Sequence, residues 1–140
     1  MATKADLQKL AALRLREAES LFQAGLYDGC VYLCGYVVEL ALKACICKTL
    51  NEPQYPDTFL KSVFRTHEFD ELAILAGIKA ELAAQKNANT ALSINWNLAT
   101  QWKPERRYQP EGTFTKGDAE SVLNSIKDPD GVLTWLTQRW

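Results

Sequence analysis

The chain has 140 residues, which predicts a single domain over residues 1–140. Hydrophobic residues make up 47% of the sequence and charged residues 24%, with a formal net charge of -1. These values exclude a disordered chain and a protein that binds nucleic acid through bulk positive charge, although they leave room for a local basic site. The first ten residues lack an apolar run, and Glu39 and Lys43 interrupt the longest apolar region, so we expect a cytoplasmic protein without a membrane span.

Apolar residues follow helical spacing through nearly the whole chain, and strand-like alternation is absent. Thr3 and Asp6 predict a capping box at the start of the first helix, and Gly25 predicts its C-terminal end. A second helix is expected from about Tyr27 to Leu50. It is apolar on nearly every side, which is typical of a central buried helix.

The middle of the chain predicts two helices between two loops. The loops are expected at residues 51–64 and 104–117, where proline and glycine occur. Thr66 is expected to cap the third helix, whose apolar stripe extends to Leu82. The next helix is expected to carry aromatic residues as far as Trp102.

The end of the chain predicts a last helix that begins with a capping box formed by Thr115 and Asp118. Pro129 either kinks this helix or begins a new one, and the continuous apolar stripe favours the kink. The predicted fold is therefore all-α, an up-and-down bundle of four to five helices.

All the cysteines fall within the second predicted helix: Cys30, Cys34, Cys45 and Cys47. At about 1.5 Å per residue, Cys34 and Cys45 lie roughly 16 Å apart along the helix. The four sulfurs therefore cannot reach one tetrahedral metal ion. We predict buried, reduced thiols, and neither a metal nor a cofactor.

One polar stripe interrupts the apolar surface of the second helix. At successive turns it contains Tyr32, Tyr36, Glu39 and Lys43. Glu39 precedes Lys43 by four residues, the favourable order for an ion pair. The stripe is either a solvated edge or a pocket wall whose tyrosines stack a base and whose lysine meets a phosphate. Arg14 lies within the apolar arc of the first helix, and we expect it either to pair with Glu39 or to extend its guanidinium to solvent.

Two further segments carry candidate binding residues. His67, the only histidine in the chain, follows Arg65 at the expected start of the third helix, where it serves either proton transfer or a local structural role. Arg107 and Tyr108 lie in the second loop, close to tryptophans. Basic residues interleaved with aromatic ones suit a nucleotide or single-stranded nucleic acid, or else a solvated loop held by acidic neighbours.

Four segments, taken in order, resemble the HEPN family (higher eukaryotes and prokaryotes nucleotide-binding domain). They are AGLY at 24–27, GYVVELALKA at 35–44, RTHEF at 65–69 and RY at 107–108. The resemblance extends over residues 4 to 127. It implies a helical bundle that often dimerises and acts with nucleotidyltransferase partners in prokaryotic toxin–antitoxin or defence systems.

The resemblance also bears on catalysis. Many members of the family are metal-independent ribonucleases, in which an arginine is followed roughly four to six residues later by a histidine. In this chain the residues at those spacings before His67 are Lys61, Ser62 and Val63. We therefore expect a non-catalytic homodimer that binds a nucleotide, RNA or a partner protein such as a nucleotidyltransferase.

The expected ligand-binding residues come from three stretches of the chain, and no catalytic residue is assigned. They are Tyr32, Tyr36, Glu39, Lys43, Arg65, His67, Arg107 and Tyr108. Two alternatives stay open. The first is a metal-independent ribonuclease that pairs His67 with an arginine distant in sequence. The second is a purely structural dimerisation module with a dry apolar interface.

Overall fold

The computed structural model describes residues 2–56 and 62–140, and its helices confirm the all-α prediction. The α-helices in these ranges are α1 (Lys4–Gln23), α2 (Tyr27–Leu50), α3 (Phe69–Leu75), α4 (Lys79–Ala88), α5 (Thr90–Ala99), α6 (Lys116–Lys127) and α7 (Val132–Thr137). Two short 3-10 helices, Ser62–Arg65 and Pro104–Tyr108, lie between them. There are more α-helices than the four to five predicted, because two of the predicted helices are each divided.

The first two helices have the predicted ends. Thr3 and Asp6 form the capping box, with reciprocal backbone-to-side-chain hydrogen bonds of 3.0 Å. Gly25 follows α1 with a φ of +76°, a left-handed conformation that glycine adopts without a steric cost. The chain then turns directly into α2, which has the predicted bounds.

The central helix of the bundle is α2, and it packs against α1, α3, α6 and α7. Its length and its mean hydropathy of 1.8 would suit a membrane span, but 72% of that apolar window is buried inside the bundle. A core helix has the same properties, because it must present apolar side chains on every side.

The third predicted helix begins later and ends earlier than its apolar pattern suggested. Thr66 does not cap it, because α3 begins at Phe69 and the Thr66 hydroxyl instead accepts a hydrogen bond from the Glu68 amide at 3.0 Å. Gly77, with a φ of +70°, then separates α3 from α4. The Thr49 hydroxyl of α2 donates to the Ala76 carbonyl at 2.6 Å, so a tertiary contact satisfies the end of α3.

The C-terminal region also differs from the sequence prediction. The capping box of Thr115 and Asp118 is confirmed, with bonds of 2.9 and 3.1 Å. The favoured kink at Pro129 is wrong, because α6 ends before the proline and α7 is a separate helix. Gly131 permits this reversal, since a Cβ there would lie 2.6 Å from the Ile126 carbonyl oxygen.

The predicted loop at 104–117 is anchored to the start of α2. The Asp28 carboxylate accepts hydrogen bonds from the backbone amides of Gly112 at 2.6 Å and Phe114 at 2.8 Å. Trp102 lies just beyond the end of α5 rather than within it, as the sequence had suggested. These contacts hold Trp102 and the following 3-10 helix beside the polar stripe of α2.

Candidate functional site

Trp102 covers part of the polar stripe, which is therefore more than a solvated edge. The indole packs on Gly35, where a Cβ would lie 2.0 Å from a ring atom. Its Nε1 donates to the Tyr32 carbonyl at 2.9 Å, and its ring centroid is 4.9 Å from that of Tyr36. An isolated glycine within an otherwise apolar helix often marks such a close approach. Gly35 was thus a signal for Trp102 that the sequence prediction did not use.

The two tyrosines of the stripe pair with each other. The Tyr32 and Tyr36 hydroxyl oxygens are 3.0 Å apart, and the rings meet edge to face. Burial, the hydrogen bond that the Tyr36 hydroxyl donates to Tyr32 and the nearby Glu39 carboxylate together raise the pKa of Tyr36 to about 12. Because both rings also contact Trp102, these tyrosines serve better as a wall than as an open platform for a base.

A buried carboxylate organises the other end of the stripe. Glu39 is 4% exposed, and its Oε1 accepts a hydrogen bond from Lys43 Nζ at 2.8 Å, so the predicted ion pair is confirmed. Both carboxylate oxygens lie 3.0 Å from His67 Nδ1. The Lys43 ammonium also lies 5.1 Å from the ring centroid of Tyr55. We call Glu39, Lys43, His67 and Tyr55 the Glu39 centre.

Exposure differs between the two groups that bind Glu39. The side chain of Lys43 is 15% exposed, whereas that of His67 is 50% exposed. Half of the imidazole is therefore accessible, while the ammonium is largely enclosed by its partners. Sequence spacing gave no indication of Tyr55, whose hydroxyl donates to the Phe64 carbonyl at 2.7 Å.

Of the two alternatives for Arg14, the pairing with Glu39 is wrong. Arg14 instead forms an ion pair with Glu17, one turn further along α1. The Glu39 carboxylate is already engaged by Lys43 and His67. The position of Arg14 along α1 predicted which face of the helix it occupies. It did not predict its partner, which depends on how α1 packs against α2.

The opposite end of the stripe meets Arg107 and Tyr108, which we call the Arg107 turn. The Arg107 guanidinium lies 4.8 Å from the ring centroid of Tyr108. Hydrogen bonding to the Tyr108 side chain, and then to that of Tyr32, raises the pKa of Arg107. Tyr108 is 75% exposed, so the turn presents a cation and an accessible aromatic ring next to the stripe.

Arg65 contributes to a neighbouring depression rather than to the stripe itself. It is exposed and lines a shallow depression together with Val63, Glu71 and Ile74. The chain thus brings seven of the eight predicted residues to the stripe of α2 and its two ends, whereas Arg65 lies beside them. Of these seven, His67, Arg107 and Tyr108 come from outside α2.

The cysteine prediction is confirmed for all four residues, which are buried and free. Burial raises the pKa of the Cys45 thiol to about 12 and that of Cys47 above its usual value. Across residues 2–56 and 62–140, no three His, Cys, Asp or Glu side chains are grouped as a metal ion would require.

Comparison with known proteins gives one match at the level of a family. The model described as the HEPN domain matches residues 5–136, nearly the whole chain. No curated protein and no solved structure gave a match. The family match confirms the resemblance that the four sequence segments indicated.

Proposed function

Since this chain belongs to the HEPN domain family, we propose that it binds a nucleotide or single-stranded RNA along the polar stripe of α2, without cleaving it. The family supports a nucleotide- or RNA-related role in general terms. The observation that carries the finer proposal is the convergence of His67 and the Arg107 turn on one face of α2.

The dimensions of this face suit an extended ligand. Tyr32 and Lys43 are separated by eleven residues, which corresponds to roughly 16 Å along the helix. Arg107 lies at the Tyr32 end, and His67 lies one turn before the Lys43 end, at Glu39. A phosphate group at the Tyr32 end can bind to the Arg107 guanidinium through charge-assisted hydrogen bonds.

The proposed contacts follow from exposure. Arg107 binds phosphate, and the accessible ring of Tyr108 stacks a base, an interaction worth about 1–3 kcal/mol. Tyr32 and Tyr36 form the wall of the site. Lys43 is enclosed by Glu39 and Tyr55, so it adds positive charge rather than a direct contact, and Arg65 adds charge at the rim.

The absence of turnover is argued from proton transfer. Cleavage of RNA without a metal ion requires one group to take a proton from the 2′-hydroxyl and another to give one to the leaving oxygen. The chain has a single histidine, and the Lys43 ammonium is bound to Glu39. The chain also lacks an arginine four to six residues before its histidine, which is the spacing of the family's ribonuclease motif.

One observation favours a ribonuclease as the second candidate function. A carboxylate bonded to Nδ1 orients a histidine for acid–base catalysis in many enzymes, and Glu39 is bonded to His67 in this way. His67 would then act as the general base, with an arginine stabilising the phosphate.

The proposal also includes a cytoplasmic homodimer and a biological setting in which the protein acts with a nucleotidyltransferase partner. We favour RNA or a nucleotide as the direct ligand because the accessible groups are the Arg107 guanidinium, the His67 imidazole and the aromatic ring of Tyr108. Analytical ultracentrifugation of the purified protein gives its mass in solution and so tests the homodimer. Co-purification after co-expression with a nucleotidyltransferase tests the partner complex.

The ligand is tested by fluorescence anisotropy with labelled single-stranded RNA and, separately, with nucleotides. We expect Arg107→Ala and Tyr108→Ala to weaken binding by about tenfold, or about 1.4 kcal/mol, and Tyr108→Phe to retain most of the affinity. Arg16→Ala is the matched control, because it removes an exposed arginine of α1 far along the chain from these residues.

The same samples are analysed for RNA length. Intact RNA supports a non-catalytic site, whereas cleavage that is abolished by His67→Ala would establish the ribonuclease. If neither RNA nor nucleotides bind to the wild-type protein, the proposed ligand is wrong. A complex with a nucleotidyltransferase would then identify a protein as the partner.

A further inference from the structure

Glu39 and His67 together determine which nitrogen of the imidazole carries hydrogen. A carboxylate accepts hydrogen bonds and does not donate them when ionised. Lys43 Nζ lies 2.8 Å from Oε1, so a cation stands beside the carboxylate and favours its role as acceptor. His67 Nδ1, at 3.0 Å from both carboxylate oxygens, must therefore be the donor.

This arrangement gives the second ring nitrogen, Nε2, the opposite hydrogen-bonding role. In a neutral imidazole one nitrogen donates and the other accepts. When Nδ1 donates to Glu39, Nε2 is an acceptor. Half of the His67 side chain is exposed, and the Nδ1 edge is the part that Glu39 covers. Within residues 2–56 and 62–140 no hydrogen bond engages Nε2, so this nitrogen is left as the acceptor of a half-exposed ring.

We propose that Glu39 is a positioning residue that holds His67 in this tautomer, and that the site consequently prefers a ligand with a hydroxyl group at Nε2. The ligand half of the inference rests on the proposed function. A ribose 2′-hydroxyl can donate such a hydrogen bond, and a deoxyribose lacks it. The site therefore discriminates RNA from DNA through the buried carboxylate of Glu39.

A different contact at His67 would give a different specificity. If the imidazole met a phosphate oxygen, it would have to donate from Nε2, and both nitrogens would then carry hydrogen. RNA and DNA of the same sequence present the same phosphates, so they would bind equally well. The comparison of ribose with deoxyribose separates the two arrangements.

Nitrogen NMR tests the tautomer directly. Because the chain has one histidine, a protein labelled at the imidazole nitrogens gives the signals of His67 without assignment by mutation. In alkaline buffer we expect Nδ1 to be protonated and Nε2 to carry a free lone pair. A protonated Nε2, or two protonated nitrogens, would overturn the positioning half of the inference.

Glu39→Gln is the variant that shifts the tautomer equilibrium. A carboxamide has one acceptor oxygen, which Lys43 requires because an ammonium can only donate. The amide nitrogen then takes the place of Oε2, 3.0 Å from Nδ1, where it donates to Nδ1 and opposes the Nδ1 proton, so the population of the tautomer protonated at Nε2 rises. We expect the NMR signals to shift towards a protonated Nε2, and a folded variant with the same tautomer populations as the wild type would contradict the role of Glu39.

Specificity is measured with single-stranded RNA and DNA of one sequence. For the wild-type protein we expect about tenfold tighter binding to the RNA, as the loss of one hydrogen bond would give. His67→Asn retains a side-chain N–H for Glu39 and lacks Nε2, so its preference should disappear. Equal affinities in the wild type, or a preference that persists in His67→Asn, would overturn the ligand half.

The outcomes distinguish this inference from the function on which it rests. If both strands bind equally, the proposed function survives and the selection by His67 fails. If neither strand binds, the proposed function fails, while the NMR measurement still decides the role of Glu39. If Glu39→Gln does not fold, as circular dichroism would show, the wild-type spectrum and His67→Asn carry the test.

Discussion

The Glu39 centre and the Arg107 turn lie towards opposite ends of one helical stripe, yet their charges are held in different surroundings. Glu39 is buried and engages Lys43 and His67 through hydrogen bonds of 3.0 Å or less. Arg107 is exposed and lies against the ring of Tyr108, which is itself largely open to solvent. The charges of Glu39 and Lys43 are enclosed by protein, whereas the charge of Arg107 faces water.

This difference separates residues that hold the fold from residues that are available to a ligand. A buried charge that loses its partner keeps the cost of desolvation without the compensating attraction. An exposed charge that loses its partner is solvated by water, so little stability is lost. Substitutions at the two ends should therefore divide between the free energy of unfolding and the affinity for a ligand.

Trp102→Ala should have the largest effect, because the indole supports the stripe between the two ends. It is buried, packs on Gly35 and donates to the Tyr32 carbonyl. Removal of a buried tryptophan typically costs about 3–5 kcal/mol in the free energy of unfolding. Urea denaturation measures the loss, and Trp140→Ala, at the partly exposed C-terminus, is the comparison with a smaller expected cost. A loss below about 1 kcal/mol for Trp102→Ala would show that the stripe does not depend on this ring.

Glu39→Ala should come next, at about 1–4 kcal/mol, since it leaves the enclosed Lys43 ammonium without its carboxylate. Glu17→Ala is the matched control: it removes a carboxylate from an ion pair with Arg14 near the surface of α1, where a change within about 0.5 kcal/mol is expected. The same denaturation experiment measures both. Equal losses in the two variants would place Glu39 on a solvated edge and remove the contrast between the ends.

The hydroxyl pair between the two ends gives a pH-dependent effect. Burial and the hydrogen bond that Tyr36 donates to Tyr32 raise the pKa of Tyr36 to about 12, whereas an unfolded tyrosine titrates near pH 10. Between these values the unfolded chain releases a proton that the folded chain retains, so the stability contributed by Tyr36 is lost as the pH rises. Denaturation over this range should show a steeper decline for the wild type than for Tyr36→Phe. Parallel declines would mean that the phenol is not held in its protonated form by the fold.

Local sequence patterns predicted the parts of the fold that depend on local interactions. The capping boxes of Thr3 and Thr115 and the bounds of α2 require only neighbouring residues and one run of apolar side chains. The end of α3 depends on a hydroxyl of α2, and the turn at Gly131 depends on a backbone carbonyl that approaches within 2.6 Å of the added Cβ position. Helical periodicity in the sequence gives no information about either tertiary contact, so it predicted one long helix in each case.

The candidate site divides in the same way. Spacing placed Glu39 and Lys43 one turn apart and thereby predicted their ion pair. His67 reaches Glu39 from 28 residues away, and Trp102 reaches Tyr32 from 70 residues away. The packing of the helices brings these residues, which are distant in sequence, into contact. The resemblance to a family suggested that the segments belong together, but it could not give the atoms through which they meet.

Arg107→Ala should have the smallest effect on stability and so provides the sharpest contrast with Glu39→Ala. Its guanidinium is exposed, and water can replace the side chain at Tyr32 and Tyr108, so we expect the free energy of unfolding to change by no more than about 0.5 kcal/mol.

The adjacent Arg106 is the matched control in the same 3-10 helix. It donates to the Gln101 carbonyl at 3.1 Å and lies 5.0 Å from the Phe114 ring centroid, so Arg106→Ala should cost about 1 kcal/mol without selectively weakening RNA binding. Reversed effects, with Arg107→Ala the more destabilising and RNA binding unchanged, would make Arg107 a structural residue. The stripe would then stabilise the fold without binding RNA, and a dimerisation module would be the better description of the protein's function.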